Sequence, residues 1–90
     1  MAEELLEARV TGRVQGVGFR VYTRDLARKL DLRGGVRNGD DDAVYLMAEG
    51  PREKLDDLVN ALWRGPGRVD NVDTTWRETT GLSRPFEVWR

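Results

Sequence analysis

Residues 6–30 read LEARVTGRVQGVGFRVYTRDLARKL, and this stretch changes hydrophobic period in its middle. Leu6, Ala8, Val10, Gly12 and Val14 alternate with Glu7, Arg9, Thr11 and Arg13, the two-residue repeat of a half-buried strand. From Phe19 the apolar positions fall instead at 19, 22, 26, 27 and 30, with Arg24, Asp25, Arg28 and Lys29 opposite, which predicts a helix running to Leu30. Between the two periods lies GRVQGVGFR (12–20), with three glycines and two arginines in nine residues. No Ser, Thr, Asp or Asn stands immediately before the helix to cap it, so its first N–H groups are left without partners.

Working outward, LRGGVRN (32–38) and AVYLMAEG (43–50) are short β-leaning segments around the turn-forming GDDD, which predicts a hairpin. After GPREK, Leu55, Leu58, Val59 and Leu62 repeat at i, i+3, i+4 and i+7, placing a second helix at about 52–63. RGPG stops it, and RVDNVDTTW and PFEVWR close the chain as strands, the last ending at the terminus itself. The order strand, helix, strand, strand, helix, strand predicts an α+β fold, a ferredoxin-like βαββαβ sandwich. Its sheet is mostly antiparallel, with two helices on one face and an extra C-terminal strand. Trp63, Trp76 and Trp89 are expected in core or sheet packing.

Composition restricts the chemistry. The 90 residues suit one domain spanning 1–90. No apolar run approaches the roughly 18 residues of a membrane span, and the glutamate-rich start is unlike a secretory signal, so a soluble, cytoplasmic protein is expected. Cysteine and histidine are absent, which removes disulfides, Cys/His zinc sites, thiolate nucleophiles and imidazole bases. The one serine, Ser83, has no histidine to activate it. A net charge of −1 lacks the basic excess of a nucleic-acid binder, although 13 of 15 basic residues are arginine.

Gly16 and Gly18 permit positive φ and close approach of a ligand to the main chain. A row of N–H groups at a helix start can then converge on one anion, with Arg20 adding a planar fork of donors. The same glycines also suit a plain tight turn, with Arg20 one solvated arginine among many, and spacing alone does not separate the two readings. A Walker loop is excluded because no Gly-Lys-Ser/Thr follows, and the dinucleotide fingerprint fails for want of a third glycine at position 21. Asn38, near the end of the second strand, carries an amide that can hold a water without titrating, but asparagine before glycine is also a common turn residue. Asp40–Asp42 reads as a solvated hairpin tip, and no metal site is expected there.

The combination of GRVQGVGFR (12–20), LRGGVRN (32–38), AEGP (48–51) and GRVDNV (67–72) resembles the acylphosphatase family over residues 6–90. Its most specific element is an asparagine 18 residues after the motif arginine (20 to 38). The resemblance implies hydrolysis of small acyl phosphates without cofactor or metal. Gln15, Gly16, Val17, Gly18 and Phe19 would form the phosphate cradle, Arg20 would hold the phosphoryl group, and Asn38 would orient the attacking water. It implies a monomer that binds a small acyl phosphate, with inorganic phosphate or sulfate as a product-like ligand, and no nucleic-acid or membrane partner. Asp31 and Asp42 depart from the family, standing where glycine is usual, and are expected to strain the backbone locally.

Two other functions compete. QGVGFRVY (15–22) matches four of the seven defined positions of an RNA-binding RNP1 strand, namely Gly16, Gly18, Phe19 and Tyr22. The other is a regulatory domain that keeps the cradle without turnover, or a domain acting on a carbamoyl phosphate inside a larger maturation enzyme. The end of the chain at Arg90, with no linker or zinc motif, favours a free-standing enzyme as the expectation.

Overall fold

The computed structural model describes residues 2–89. Its elements are β1 (Glu3–Arg13), α1 (Phe19–Lys29), β2 (Arg33–Asn38), β3 (Val44–Pro51), α2 (Arg52–Leu62), β4 (Arg68–Arg77) and β5 (Glu87–Val88). The five strands form one sheet in the order β4-β1-β3-β2-β5, in which only the β2–β5 pair is parallel. Both helices share one core with one face of the sheet. This is the predicted ferredoxin-like α+β arrangement with its added C-terminal strand. That strand comprises only Glu87 and Val88; its predicted end at Arg90 lies outside the described residues.

The alternation in β1 does what it predicts: Leu6, Ala8 and Val10 are buried beneath the helices. It fails at Thr11/Gly12, where the register with β4 shifts. Gly12 has φ 126°, and a Cβ there would stand 2.1 Å from the Arg68 carbonyl oxygen. The strand therefore bulges at the one residue that allows it. Leu6, Val10, Phe19, Leu55, Leu58 and Phe86 are all 1% exposed or less, and each such side chain contributes about 1.5–3 kcal/mol by leaving water.

In α1 the buried stripe includes Thr23, which the apolar spacing passes over. Its hydroxyl donates to the Phe19 carbonyl at 2.9 Å, so the buried oxygen is satisfied within the helix. The Tyr22 hydroxyl donates to the Ala61 carbonyl at 2.8 Å and ties α1 to α2. Pro51 closes β3 and stands as the N-cap of α2, one residue before its first turn.

The tryptophans divide. Trp76 packs against the core and carries the Arg52 guanidinium 3.5 Å above its ring. Trp89 lies against the backbone of Gly35, where a Cβ would overlap the indole. Trp63 contradicts the packing expectation: it is 47% exposed, because α2 ends at Leu62 and the next residue falls off its buried stripe.

Asp31 and Asp42 hold φ of 56° and 67°, the left-handed backbone anticipated at both positions. Asp31 follows Leu30, the C-cap of α1, where Leu32 N–H reaches back to the Ala27 carbonyl at 2.9 Å, a closure that normally uses glycine.

Candidate active site

The strand pairings bring the two sequence motifs to one end of the sheet. Val10 pairs with Val44, and Val44 with Asn38, so the three stand in one row across β1, β3 and β2. β1 and β2 both run antiparallel to β3, so their C-terminal ends point the same way. The 14–18 loop leaves one and the 39–43 turn leaves the other.

The loop has the backbone that the glycines allow. Gly16 has φ 74° and Gly18 φ 83°, and both are exposed. Gly18 is the N-cap of α1, and no side chain caps the helix. The first intrahelical bond runs from Tyr22 N–H to the Gly18 carbonyl at 3.0 Å, so the N–H groups of Phe19, Arg20 and Val21 have no acceptor within the helix. The helix dipole adds positive potential at the same point. Arg20 is exposed and, among the described residues, makes no ion pair or side-chain hydrogen bond. Gly16, Gly18 and Arg20 line a pocket of about 160 Å³ together with Val14, Phe19, Val21 and Val88.

The remaining cradle residues face elsewhere with their side chains. Phe19 lines the pocket but is 1% exposed and packs in the core, and Val17, half-buried against that core, does not line it. The Gln15 amide nitrogen donates to the carbonyls of Gly39 and Ala43, each at 2.9 Å. Asn38 does not line the pocket. It joins the loop through that Gln15 bridge, one residue from Gly39. The pleat turns Val36 into the core and Arg37 to the other face, over the Tyr45 ring at 4.8 Å, and so returns Asn38 to the helix side. The Asn38 Oδ1 atom is buried and makes no hydrogen bond within the protein.

A second network fixes the turn from the opposite face. Asp41 accepts from the Tyr45 hydroxyl at 2.6 Å and from Arg9 Nε and Nη2 at 3.1 and 3.0 Å, while its other oxygen takes the Ala43 N–H at 3.2 Å. The Tyr45 hydroxyl and the Arg9 guanidinium hold the Asp41 carboxyl down from 3.8 to about 2. The aspartate run is thus a structured tip, and no group of three or more potential metal-ligating side chains forms among the described residues.

Val14, Val21 and Val88 are pocket residues that the sequence reading did not single out. Val21 follows the motif arginine and is 46% exposed, a signal visible only once the helix face is known. Val88 comes from a two-residue strand at the far end of the chain, and no local pattern marks it.

Comparison with known proteins places this geometry. A family model described as acylphosphatase matches residues 6–88. This chain belongs to the acylphosphatase family. It is 48% identical over 90 residues to the acylphosphatase of Salinibacter ruber, covering 98% of this chain and 95% of that protein. The crystal structure of acylphosphatase from Bacillus subtilis superposes with a TM-score of 0.93 at 34% identity, covering 97% of this chain and 99% of that one. An acylphosphatase structure from Coxiella burnetii gives 0.91 at 36% identity, covering 98% and 94%. The chain is therefore an acylphosphatase-type enzyme that hydrolyses acyl phosphates. The RNP1-like match has no matching structure: residues 15–22 form a loop and helix start, and Phe19 is buried where an RNA-binding strand would expose it.

Proposed function

We propose that this enzyme cleaves small acyl phosphates with Arg20 and the main-chain N–H groups of residues 15–20 holding the phosphoryl oxygens, and with Asn38 orienting the attacking water. The observation that carries the reading is the buried, unpartnered Asn38 Oδ1, one residue from the Gly39 carbonyl that Gln15 ties to a loop whose helix-start N–H groups and guanidinium are also unengaged. A buried amide oxygen left without a donor costs about 1–3 kcal/mol in stability, and a small shift of the Asn38 side chain as substrate binds would let the attacking water donate to it and recover that loss.

The chemistry needs nothing the chain lacks. Water attacks phosphorus as the bond from phosphorus to the acyl oxygen breaks, and the bonding pair leaves on a carboxylate. The conjugate acid of that carboxylate has a pKa of about 4–5, so no general acid is required near neutrality. The water's proton passes to the phosphate formed. Charge on the equatorial oxygens is neutralised by Arg20 and the N–H donors, a positioning and electrostatic role that no metal or cofactor has to share. Inorganic phosphate and sulfate are then product-like ligands of the same cradle, and the working form is a monomer.

Asn38→Ala tests this directly with benzoyl phosphate as substrate. The turnover number is expected to fall by about 10²–10³-fold, the range for removing one positioned transition-state group, with the thermal midpoint unchanged or higher. Retained turnover would remove Asn38 from the mechanism. The wild-type rate is expected to ignore chelators and to stay nearly flat from about pH 5 to 8, where no unperturbed side chain of this sequence titrates.

A further inference from the structure

We infer that Gln15 is a positioning residue for catalysis, acting through its side chain on the β2–β3 turn and not on the phosphate. The inference rests on the roles proposed above for Arg20 and Asn38. A cradle role for Gln15 requires only its main-chain N–H. The side-chain amide has both protons engaged elsewhere, at 2.9 Å from the Gly39 carbonyl and 2.9 Å from the Ala43 carbonyl.

Those two carbonyls bracket the turn that follows Asn38. Gly39 N–H itself donates to the Ala43 carbonyl at 2.8 Å, so the turn is already closed, and the Gln15 amide clamps both sides of that closure onto the phosphate loop. Gly39 has no slack on its other side, where a Cβ would stand 2.3 Å from the Tyr45 ring and 2.6 Å from Asp41 Oδ1. The residue bonded to Gly39 is Asn38. Gln15 thus sets the distance between the loop that holds phosphorus and the amide that holds water, the quantity on which an in-line attack depends. A misplacement of about 1 Å in such a geometry costs on the order of 10²-fold in rate.

The residue type follows from the partners. Two carbonyl oxygens need two donors on one atom, which the amide supplies. A carboxylate of the same shape offers none and is repelled by both. A methionine of similar length fills the space without donating.

The test uses Gln15→Glu and Gln15→Met in the full chain, measuring kcat and KM for benzoyl phosphate, inhibition by inorganic phosphate, and thermal unfolding. Both variants are expected to lose about 10-fold or more in kcat while phosphate inhibition stays within about threefold, because the cradle donors are main-chain groups and Arg20. The Gln15→Glu protein is expected to regain part of its kcat as pH falls toward 5, since a protonated carboxyl donates one of the two bonds, and Gln15→Met is not. Unchanged kcat in both would overturn the inference while leaving the Asn38→Ala result free to support the mechanism. Phosphate inhibition weakened with kcat intact would overturn it too, by showing that the side chain binds phosphate. Failure of both variants to fold would assign Gln15 to the scaffold instead. If Asn38→Ala keeps its turnover, the underlying reading fails whatever Gln15 does.

Discussion

Two loops at different places on this sheet are each fastened by a single polar side chain, and they are finished in opposite ways. Near residues 80–82 the Glu49 carboxylate, fully buried, accepts from the N–H groups of Thr80, Gly81 and Leu82 and from the Thr80 hydroxyl, with Arg33 at 3.6 Å. Burial pushes its pKa up, but the N–H groups of Thr80, Leu82 and Gly81 and the Thr80 hydroxyl outweigh that and hold it below the ordinary value. Every strong group there has a partner. At residues 15–20 and 38 the fastening amide of Gln15 is satisfied, yet helix-start N–H groups, the Arg20 guanidinium and the Asn38 oxygen are not. A buried polar group left unengaged is destabilising, and the proposed site is the one that pairs such a group, the Asn38 oxygen, with solvent-facing donors at a helix start that an anion would engage.

The contrast predicts that substitutions at the two loops separate activity from stability. Arg20→Lys is expected to lower kcat/KM by about 10³-fold, since one ammonium cannot reproduce a planar fork on the phosphoryl oxygens, with the thermal midpoint within a few degrees of wild type. Near-normal kcat/KM in the Arg20→Lys enzyme would make the guanidinium dispensable and blur the contrast. Glu49→Gln is expected to do the reverse. An amide accepts fewer of those bonds and carries no charge toward Arg33, so unfolding free energy falls by about 3 kcal/mol, or roughly 12–24 °C in thermal midpoint. Turnover below the new midpoint stays within a few-fold of wild type; a large loss of kcat there would mean that the two loops are not independent.

Acid sharpens the same distinction. Glu49 and Asp41 both have depressed folded-state pKa values. Their stabilisation is complete above the unfolded values of 4.5 and 3.8 and is lost as pH falls through the folded ones, about 2 for Asp41. Thermal midpoints are expected to be steady down to about pH 5 and then to fall, less steeply in Glu49→Gln, which has already lost one of the two contributions. Parallel curves would remove Glu49 from the account. The smallest effect belongs to Asp42→Gly. Asp42 holds a left-handed backbone without a side-chain partner among the described residues, so glycine is expected to raise stability by no more than about 1 kcal/mol and leave kcat unchanged. A loss of stability would show that the aspartate is a fitted part of the turn.

The parts of this molecule legible in sequence are those set by local period and local backbone demand. The change from a two-residue to a helical repeat at Phe19, the uncapped helix start and the glycines at positive φ follow from neighbours in the chain, whereas the strained backbone at Asp31 and Asp42 is expected from the family resemblance. The family motifs added Arg20 and Asn38 as the residues proposed for the site. What stayed hidden depends on contacts between segments far apart. The bulge at Gly12 is imposed by β4, and Val88 reaches the pocket from the last strand. Glu49 reads as one more charged residue until residues 80–82 fold over it, and the two donor bonds of Gln15 require knowing that the turn returns to the loop. Trp63 departs from its packing expectation for the same reason, since a tryptophan's size says nothing about which side of the helix end it leaves.

A structure of the protein crystallised with inorganic phosphate tests the central claim most directly. The expected result is one phosphate at the start of α1, with main-chain N–H groups of residues 15–20 and the Arg20 guanidinium about 3 Å from its oxygens, and an ordered water between that phosphate and the Asn38 side chain. Phosphate bound elsewhere, or an Asn38 amide turned away from an occupied loop, would contradict it.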